Sequence, residues 1–301
     1  MPEKDEKGGL VRANTGALQK ISSDIVSRGL TDLALLENRI LQIGQQQTIR
    51  CEKDGAEMVL IPAGDFQMGD ALGDDNVFHN EKPVHRVYLD AFYIDKYEVT
   101  NVQYHKFVKE TGYSEPEGIA IGTGYGYGFK PWSYHPDFNG DNKPVVCVSC
   151  YDAIEYCKWA GKRLPTEAEW EKAARGGMVG KRYPWGNRLT PDDANYTNDV
   201  KRIYGPSPVD SFPPNGYGLF DMAGNVCEWC SDWYDKNYYR RSPKSNPVGP
   251  DFGNDKIVRG GSWDYGNGFS YSDLRIAYRF PHSPYACVSD IGFRCAMDVP
   301  K

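Results

Sequence analysis

Eight cysteines, Cys51, Cys147, Cys150, Cys157, Cys227, Cys230, Cys287 and Cys295, carry most of the chain's capacity for metal or redox chemistry. Four of them form two Cys-x-x-Cys pairs, Cys147-Val-Ser-Cys150 and Cys227-Glu-Trp-Cys230. Two such pairs can close a tetrahedral zinc site when each sits in a short knuckle with turn glycines. Here the pairs lie far apart and lack that setting, so buried thiols or a disulfide are expected instead of zinc. Redox catalysis is disfavoured as well, because the βαβ context of thioredoxin-like motifs is missing. The five histidines, His79, His85, His105, His135 and His282, show no metal-ligand spacing.

A different chemistry is written into Asp264–Asp290, between Arg259-Gly-Gly-Ser-Trp263 and Ile291-Gly-Phe-Arg294. The segment contains no Lys, Glu, Gln, Met or Trp, although those types make up roughly one residue in five elsewhere, so about five were expected. Tyr, Phe, Ser, Asp, Gly, Asn, Pro, Ala and His dominate what remains. That mixture pairs rigid amphipathic aromatics with small adaptable polar groups, as protein-binding loops do. None of the five missing types can be encoded by a codon ending in a pyrimidine. The segment therefore reads as diversified for binding and not as fixed for catalysis.

Elements with clear boundaries must position these residues. Thr100 with Gln103 makes a capping box and predicts a helix ending at Gly112. Ser149 caps a helix over Cys150–Ala160, with Gly161 in the left-handed position that follows. Thr166 with Glu169 makes a second box, closed by Gly176-Gly177. Met58–Gly64, Phe66–Gly69 and Val84–Tyr93 read as short strands. From Tyr183 onward Gly, Pro, Asn and Asp punctuate the chain, which predicts short strands and long ordered loops. Upstream, Val26, Leu30, Leu33, Leu36, Ile40 and Ile43 recur at helical steps. Residues 1–15 are expected to be a flexible N-terminus, 16–50 a helical segment packed on the main domain, and 55–301 that domain.

Composition narrows the field. The chain has 301 residues, enough for a substantial core, and is 40% hydrophobic and 13% aromatic with 32 Gly and 20 Pro. A net charge of −6 offers no basic stripe for phosphates, so no nucleic-acid partner is expected. No apolar run reaches membrane-spanning length. The charged start, Met1–Lys7, has no apolar stretch of a secretory leader.

The motifs resemble a known family. Met58-Val-Leu-Ile-Pro-Ala-Gly, Lys162-Arg-Leu-Pro-Thr-Glu-Ala-Glu-Trp-Glu, Tyr183-Pro-Trp-Gly-Asn, Pro213-Pro-Asn-Gly-Tyr-Gly-Leu-Phe-Asp-Met-Ala-Gly-Asn-Val-Cys-Glu-Trp, Arg259-Gly-Gly-Ser-Trp and Ile291-Gly-Phe-Arg resemble the formylglycine-generating, sulfatase-modifying proteins, in order from about residue 55 to the C-terminus. The resemblance implies an α+β, C-type-lectin-like fold with short strands, few helices and much irregular chain. Its enzymes oxidise a substrate cysteine with copper held by two cysteines shortly after the Gly-Gly-Ser motif. The matching positions here are Tyr265 and Ser270, and neither replaces a soft thiolate. A fold of this kind does not fix activity, and the resemblance implies no catalytic cofactor in this chain. Cys157 and Cys295 match positions that are disulfide-bonded in some relatives, but their usual partners are missing, which leaves the connectivity open.

Within that fold, the run Gly-Gly-Ser-Trp, varied residues, Leu274-Arg-Ile-Ala, varied residues and Ile291-Gly-Phe-Arg resembles the variable proteins of diversity-generating retroelements. In those systems a template repeat is copied with errors at adenines, so asparagine codons become almost any codon ending in a pyrimidine. This resemblance implies a non-enzymatic protein whose variable region, 264–290, binds changing ligands. The implied contact residues are Asp264, Tyr265, Asn267, Phe269, Tyr271, Asp273, Tyr278, Phe280, His282, Ser283, Tyr285, Ser289 and Asp290, with about two thirds of them on one exposed face. The implied partner is a protein or glycoconjugate outside the cell, which places this chain at the cell surface or otherwise beyond the cytoplasm. Two alternatives stand beside it: a formylglycine-generating copper oxidase, and a calcium-dependent carbohydrate lectin. The family's calcium loop matches Asp221-Met-Ala-Gly-Asn-Val-Cys-Glu. It implies a structural Ca²⁺ held by Asp221 and Glu228 carboxylates and by Gly224 and Val226 carbonyls.

Overall fold

A computed structural model describes residues 48–72, 78–114, 138–196, 205–264 and 271–300, and among them stand ten short strands and three capped helices. The first sheet has the order β1 (Thr48–Arg50), β2 (Glu57–Ile61), β5 (Phe92–Asp95) and β10 (Ala296–Asp298), all antiparallel. A hairpin of β3 (Gly64–Met68) and β4 (His85–Leu89) stands beside it. The third sheet has the order β8 (Phe280–His282), β7 (Lys256–Arg259), β6 (Cys227–Trp233) and β9 (Ile291–Gly292). Its β6–β9 pair is parallel, and β6 shifts register against β7 between Trp229 and Trp233.

The helices form where the capping residues predict. Helix α1 (Asn101–Thr111) begins in the Thr100–Gln103 box, α2 (Cys150–Trp159) in a Ser149–Asp152 box, and α3 (Glu167–Arg175) in the Thr166–Glu169 box. In α3, Thr166 Oγ1 accepts from Glu169 N at 3.2 Å while Glu169 Oε2 accepts from Thr166 N at 2.8 Å, which satisfies two otherwise orphaned amides. Gly176 then adopts φ +55°, a conformation that costs other residues about 1 kcal/mol or more.

Every residue of α3 is buried, including Glu167, Glu171, Lys172 and Arg175. The helix is therefore a charged pillar between the β3–β4 hairpin and the third sheet. Two apolar clusters surround it. One holds Tyr104, Phe107, Tyr156, Trp229 and Phe293; the other holds Val87, Phe92, Ile94, Trp170 and Ile257.

Two expectations need correction. Val84–Tyr93 is not one strand: it breaks at Asp90-Ala91, and β4 and β5 serve different sheets. The corner is held by a distant side chain, since Asn246 Oδ1 accepts from Asp90 N and Asn246 Nδ2 donates to Asp90 Oδ2, both at 2.9 Å. Residues 48–50, assigned to the N-terminal helical segment, are strand β1, paired with Glu57–Val59. The expected helix over Leu18–Gln47 lies outside the described residues.

Candidate functional site

The biased segment leaves β7 through Gly260 and Gly261, whose φ values are +96° and +68°. A Cβ on Gly261 would stand 3.0 Å from the backbone of Asp273, so glycine there lets the start of the segment lie directly on its own later turn. Trp263 N donates to Asn225 O at 2.9 Å, and the Trp263 indole donates to Ser289 O at 3.3 Å. Ser262 Oγ donates to Asp290 Oδ2 at 3.0 Å. The two ends of the segment are thus stitched together.

Its middle is anchored by arginines. Arg275 meets both carboxylate oxygens of Glu81 at 2.6 and 2.7 Å. Arg279 meets both oxygens of Glu167, donates to Asn80 O at 2.8 Å, and lies 4.1 Å over the Tyr239 ring. Arg259 reaches back from β7 to Glu171 Oε2 at 2.5 Å and donates to the carbonyls of Ala277 and Tyr278. All three side chains are nearly or fully buried. Burial works against the charge of Arg279, but Glu167 outweighs it and raises the guanidinium pKa. For Glu81 burial wins, and its pKa is raised despite the bidentate Arg275. Glu171 goes the other way: burial is overcome by Arg175 and Arg259, which lower it. Such bidentate, charge-assisted pairs fix orientation as well as position.

Around these anchors the proposed contact residues divide. Tyr285 is 57% exposed, with its ring 5.0 Å from that of Tyr151. Asp264, Phe280, His282 and Ser283 are half-buried. Phe280 stacks on Tyr278, and His282 stands edge-on to Trp229 at 5.8 Å. Asp273, Tyr278, Ser289 and Asp290 are buried and fall in the third of the contact residues not expected on the exposed face. Asp273 belongs to the 3₁₀ turn Tyr271–Leu274 on which Gly261 rests, and Tyr278 is covered edge-on by Phe78. Asp290 passes its carbonyl to Cys227 N at 2.8 Å, and burial pushes its carboxyl up to about 6. These four hold the loop and do not present it. Tyr271 begins the turn, while Tyr265, Asn267, Phe269 and Ser270 lie outside the described residues.

Phe78 and Tyr151 were missed by sequence reasoning. Phe78 is 50% exposed and meets Tyr278 at 5.6 Å; Tyr151 meets Tyr285. Both come from outside 264–290 and extend its aromatic surface. The only sequence signal was an aromatic residue at the start of each of two elements, Phe78 just before the 3₁₀ turn His79–Glu81 and Tyr151 in the first turn of α2.

The loop proposed for calcium packs behind this face. Asp221 and Asn225 adopt φ +56° and +61°. Asp221, Glu98 and Glu228 crowd together with Arg294 as their shared cation. Burial, opposed by Arg294, pushes Asp221 up to about 7; burial, then Asp221 and Glu228, raises Glu98 well above the carboxylate range. Glu228 is committed already: Arg294 Nε and Nη2 and the Trp170 indole all donate to it within 2.9 Å. Three carboxylates against one guanidinium suit a hard cation in charge, but Glu228 could serve as a ligand only by releasing Arg294. Among the described residues no three His, Cys, Asp or Glu side chains form a metal-binding group. The Asn195 side-chain oxygen nearby is buried without a partner.

Small sheets packed on a buried charged helix, with long ordered loops carrying the surface, define an α+β, formylglycine-generating-enzyme-like domain of C-type-lectin-like type. The chain belongs to the sulfatase-modifying factor enzyme 1-like family, whose domain matches residues 45–299. It is 39% identical over 279 residues to the formylglycine-generating enzyme of Streptomyces coelicolor, covering 80% of this chain and 88% of that one. Among solved structures it resembles PvdO from Pseudomonas aeruginosa, with a TM-score of 0.72 and 30% identity over 84% of this chain and 98% of that one. It also resembles Treponema denticola variable protein 1, with a TM-score of 0.63 and 25% identity at the same coverage.

Proposed function

We propose that this chain is a non-enzymatic ligand-binding protein whose 264–290 segment is diversified by a retroelement to meet varied ligands outside the cell. The observation that carries the reading is the division of that segment. Its compositionally biased stretch is pinned at Arg275 and Arg279 by buried glutamates, while Asp264 before the pins and Phe280, His282, Ser283 and Tyr285 after them reach the surface. A surface can change residue by residue over such anchors without loss of the core. Similarity to Treponema denticola variable protein 1 supports the same reading, as does the presence of Tyr265 and Ser270 where the family's oxidases place their copper cysteines. The partner we infer is a protein or glycoconjugate bound chiefly by aromatic side chains. A structural Ca²⁺ beside Asp221 belongs to this proposal, on the strength of the local excess of carboxylate.

The second reading, a copper-dependent formylglycine-generating oxidase, is favoured by the 39% identity to the Streptomyces coelicolor enzyme. Sequencing of this gene's 3′ end, its downstream flank and the same locus in sibling isolates separates the two. A near-copy of the segment encoding 264–294, differing only where the copy carries adenines, is the expected result. Identical siblings with no such repeat, together with stoichiometric copper and oxidation of a cysteine peptide, would refute the binding proposal.

A further inference from the structure

One face of the first sheet packs on the core, where Val59, Ile61, Phe92, Ile94 and Ala296 join the cluster around Trp170. Side chains alternate along a strand, so the residues between them line the opposite face. One end of that opposite face is closed. Met58 and Asp95 are buried there, Lys162 bridges Asp95 and Asp54, and Tyr156 of α2 donates to Asp54 Oδ2 at 2.9 Å. The other end is partly exposed. Leu60, Tyr93 and Met297 stand side by side on β2, β5 and β10, and Ile49 of β1 is diagonal to Leu60. All four are half-buried, and among the described residues none of them belongs to an apolar cluster.

The chain enters β1 from this same end. Thr48 pairs with Val59 and Arg50 with Glu57, so the residues before Thr48 arrive from the level of Leu60 and Ile61. Upstream, Val26, Leu30, Leu33, Leu36, Ile40 and Ile43, which lie outside the described residues, recur at three- and four-residue steps. A helix over 26–43 is about 26 Å long, enough to cross four strands that together span about 14 Å. The link from Ile43 to Thr48 reaches at most about 17 Å, which ties the end of that stripe to the edge of the sheet. We propose that the 26–43 segment is a helix that lies across the first sheet and covers Ile49, Leu60, Tyr93 and Met297 with its apolar stripe. Asn38 stands on the opposite side of such a helix from Leu33 and Ile40 and faces solvent.

The test is photocrosslinking of the full chain with p-benzoylphenylalanine placed at Leu33 or, as the control, at Asn38, followed by peptide mapping. The Leu33 probe should join, within one chain, a peptide that contains Leu60, Tyr93 or Met297; the Asn38 probe should not. Oxidation of Met297 by dilute peroxide gives a second readout that needs no crosslinker. Leu33→Asp/Ile40→Asp should speed it by roughly fivefold or more, while Met58, fully buried in the closed end, keeps its rate and reports that the domain is folded. Crosslinks from Leu33 to another part of the chain would overturn the proposal. So would crosslinks formed only between two chains, which would give the face to a second copy, or a Met297 oxidation rate that the two aspartates leave unchanged.

Discussion

Arg279→Met is the most informative perturbation of the segment, because it separates anchoring from presentation. The guanidinium donates to both oxygens of Glu167, its side chain is fully buried, and Glu167 is 2% exposed. Methionine keeps most of the volume but leaves Glu167 in the interior without its main counter-charge. Removing one partner of a buried pair typically costs about 3–5 kcal/mol, and loss of the cation–π contact with Tyr239 adds to it. At about 1.4 kcal/mol per tenfold, that is a shift of roughly two to four decades in the folding equilibrium.

Urea unfolding followed by tryptophan fluorescence measures it. With a slope of about 2.5 kcal/mol/M, the midpoint should fall by roughly 1–2 M. Tyr285→Ala, a few residues along, should move it by less than about 0.5 kcal/mol, since Tyr285 is 57% exposed. Glu167→Met/Arg279→Met should recover much of the loss, because a buried pair is often replaceable by apolar side chains once neither charge is stranded. A single variant that loses under 1 kcal/mol, or a Tyr285→Ala chain as destabilised as Arg279→Met, would refute the division of the segment into pins and surface.

Three further outcomes follow from the same geometry. Asp290 has a folded pKa of about 6, raised by burial above the unfolded value, so its contribution to stability is greatest below about pH 4 and is lost as pH rises through 6. The wild-type chain should therefore lose about 2 kcal/mol from this group between pH 4 and 6, a slope absent from Asp290→Asn in paired denaturation curves. Gly261→Ala should cost about 2–4 kcal/mol in thermal unfolding, because a left-handed φ and a 3.0 Å approach to Asp273 combine; Gly180→Ala, at φ +63° with its nearest neighbour at 4.0 Å, should cost about 1 kcal/mol. Calcium at a hundredfold excess over its dissociation constant should raise the melting temperature by about 5–10 °C, with EGTA and Asp221→Ala each abolishing the rise; an unchanged melting temperature would exclude a structural ion there.

The helices were legible because their boundaries are written in local chemistry. A capping residue and the partner three positions on satisfy backbone amides wherever the chain folds; both expected boxes formed, and the expected Ser149 cap closed a further box with Asp152. The break at Asp90-Ala91 was not legible, because nothing at that dipeptide makes the corner; Asn246 does, from 156 residues away. In the segment itself, composition marked where the unusual region lies but not which way each side chain points. Asp273 and Asp290 have the residue type of a solvated contact yet are buried beneath Gly261 and Ser262. Phe78 was invisible for the converse reason, since its role depends on Tyr278, which no local pattern places beside it.

The arrangement also explains why the anchors are arginines. Under the proposed diversification the segment cannot depend on apolar complementarity, which is sensitive to every methylene added or removed along it. A guanidinium bound at two nitrogens to a buried carboxylate supplies its own geometry, and here its partners Glu81, Glu167 and Glu171 all lie outside the segment. Two of those glutamates belong to α3, whose ends are fixed by its own capping box and by Gly176. The exposed surface of the segment therefore takes its position from α3, and a substitution at Tyr285 or Ser283 reaches that helix only through the anchored residues.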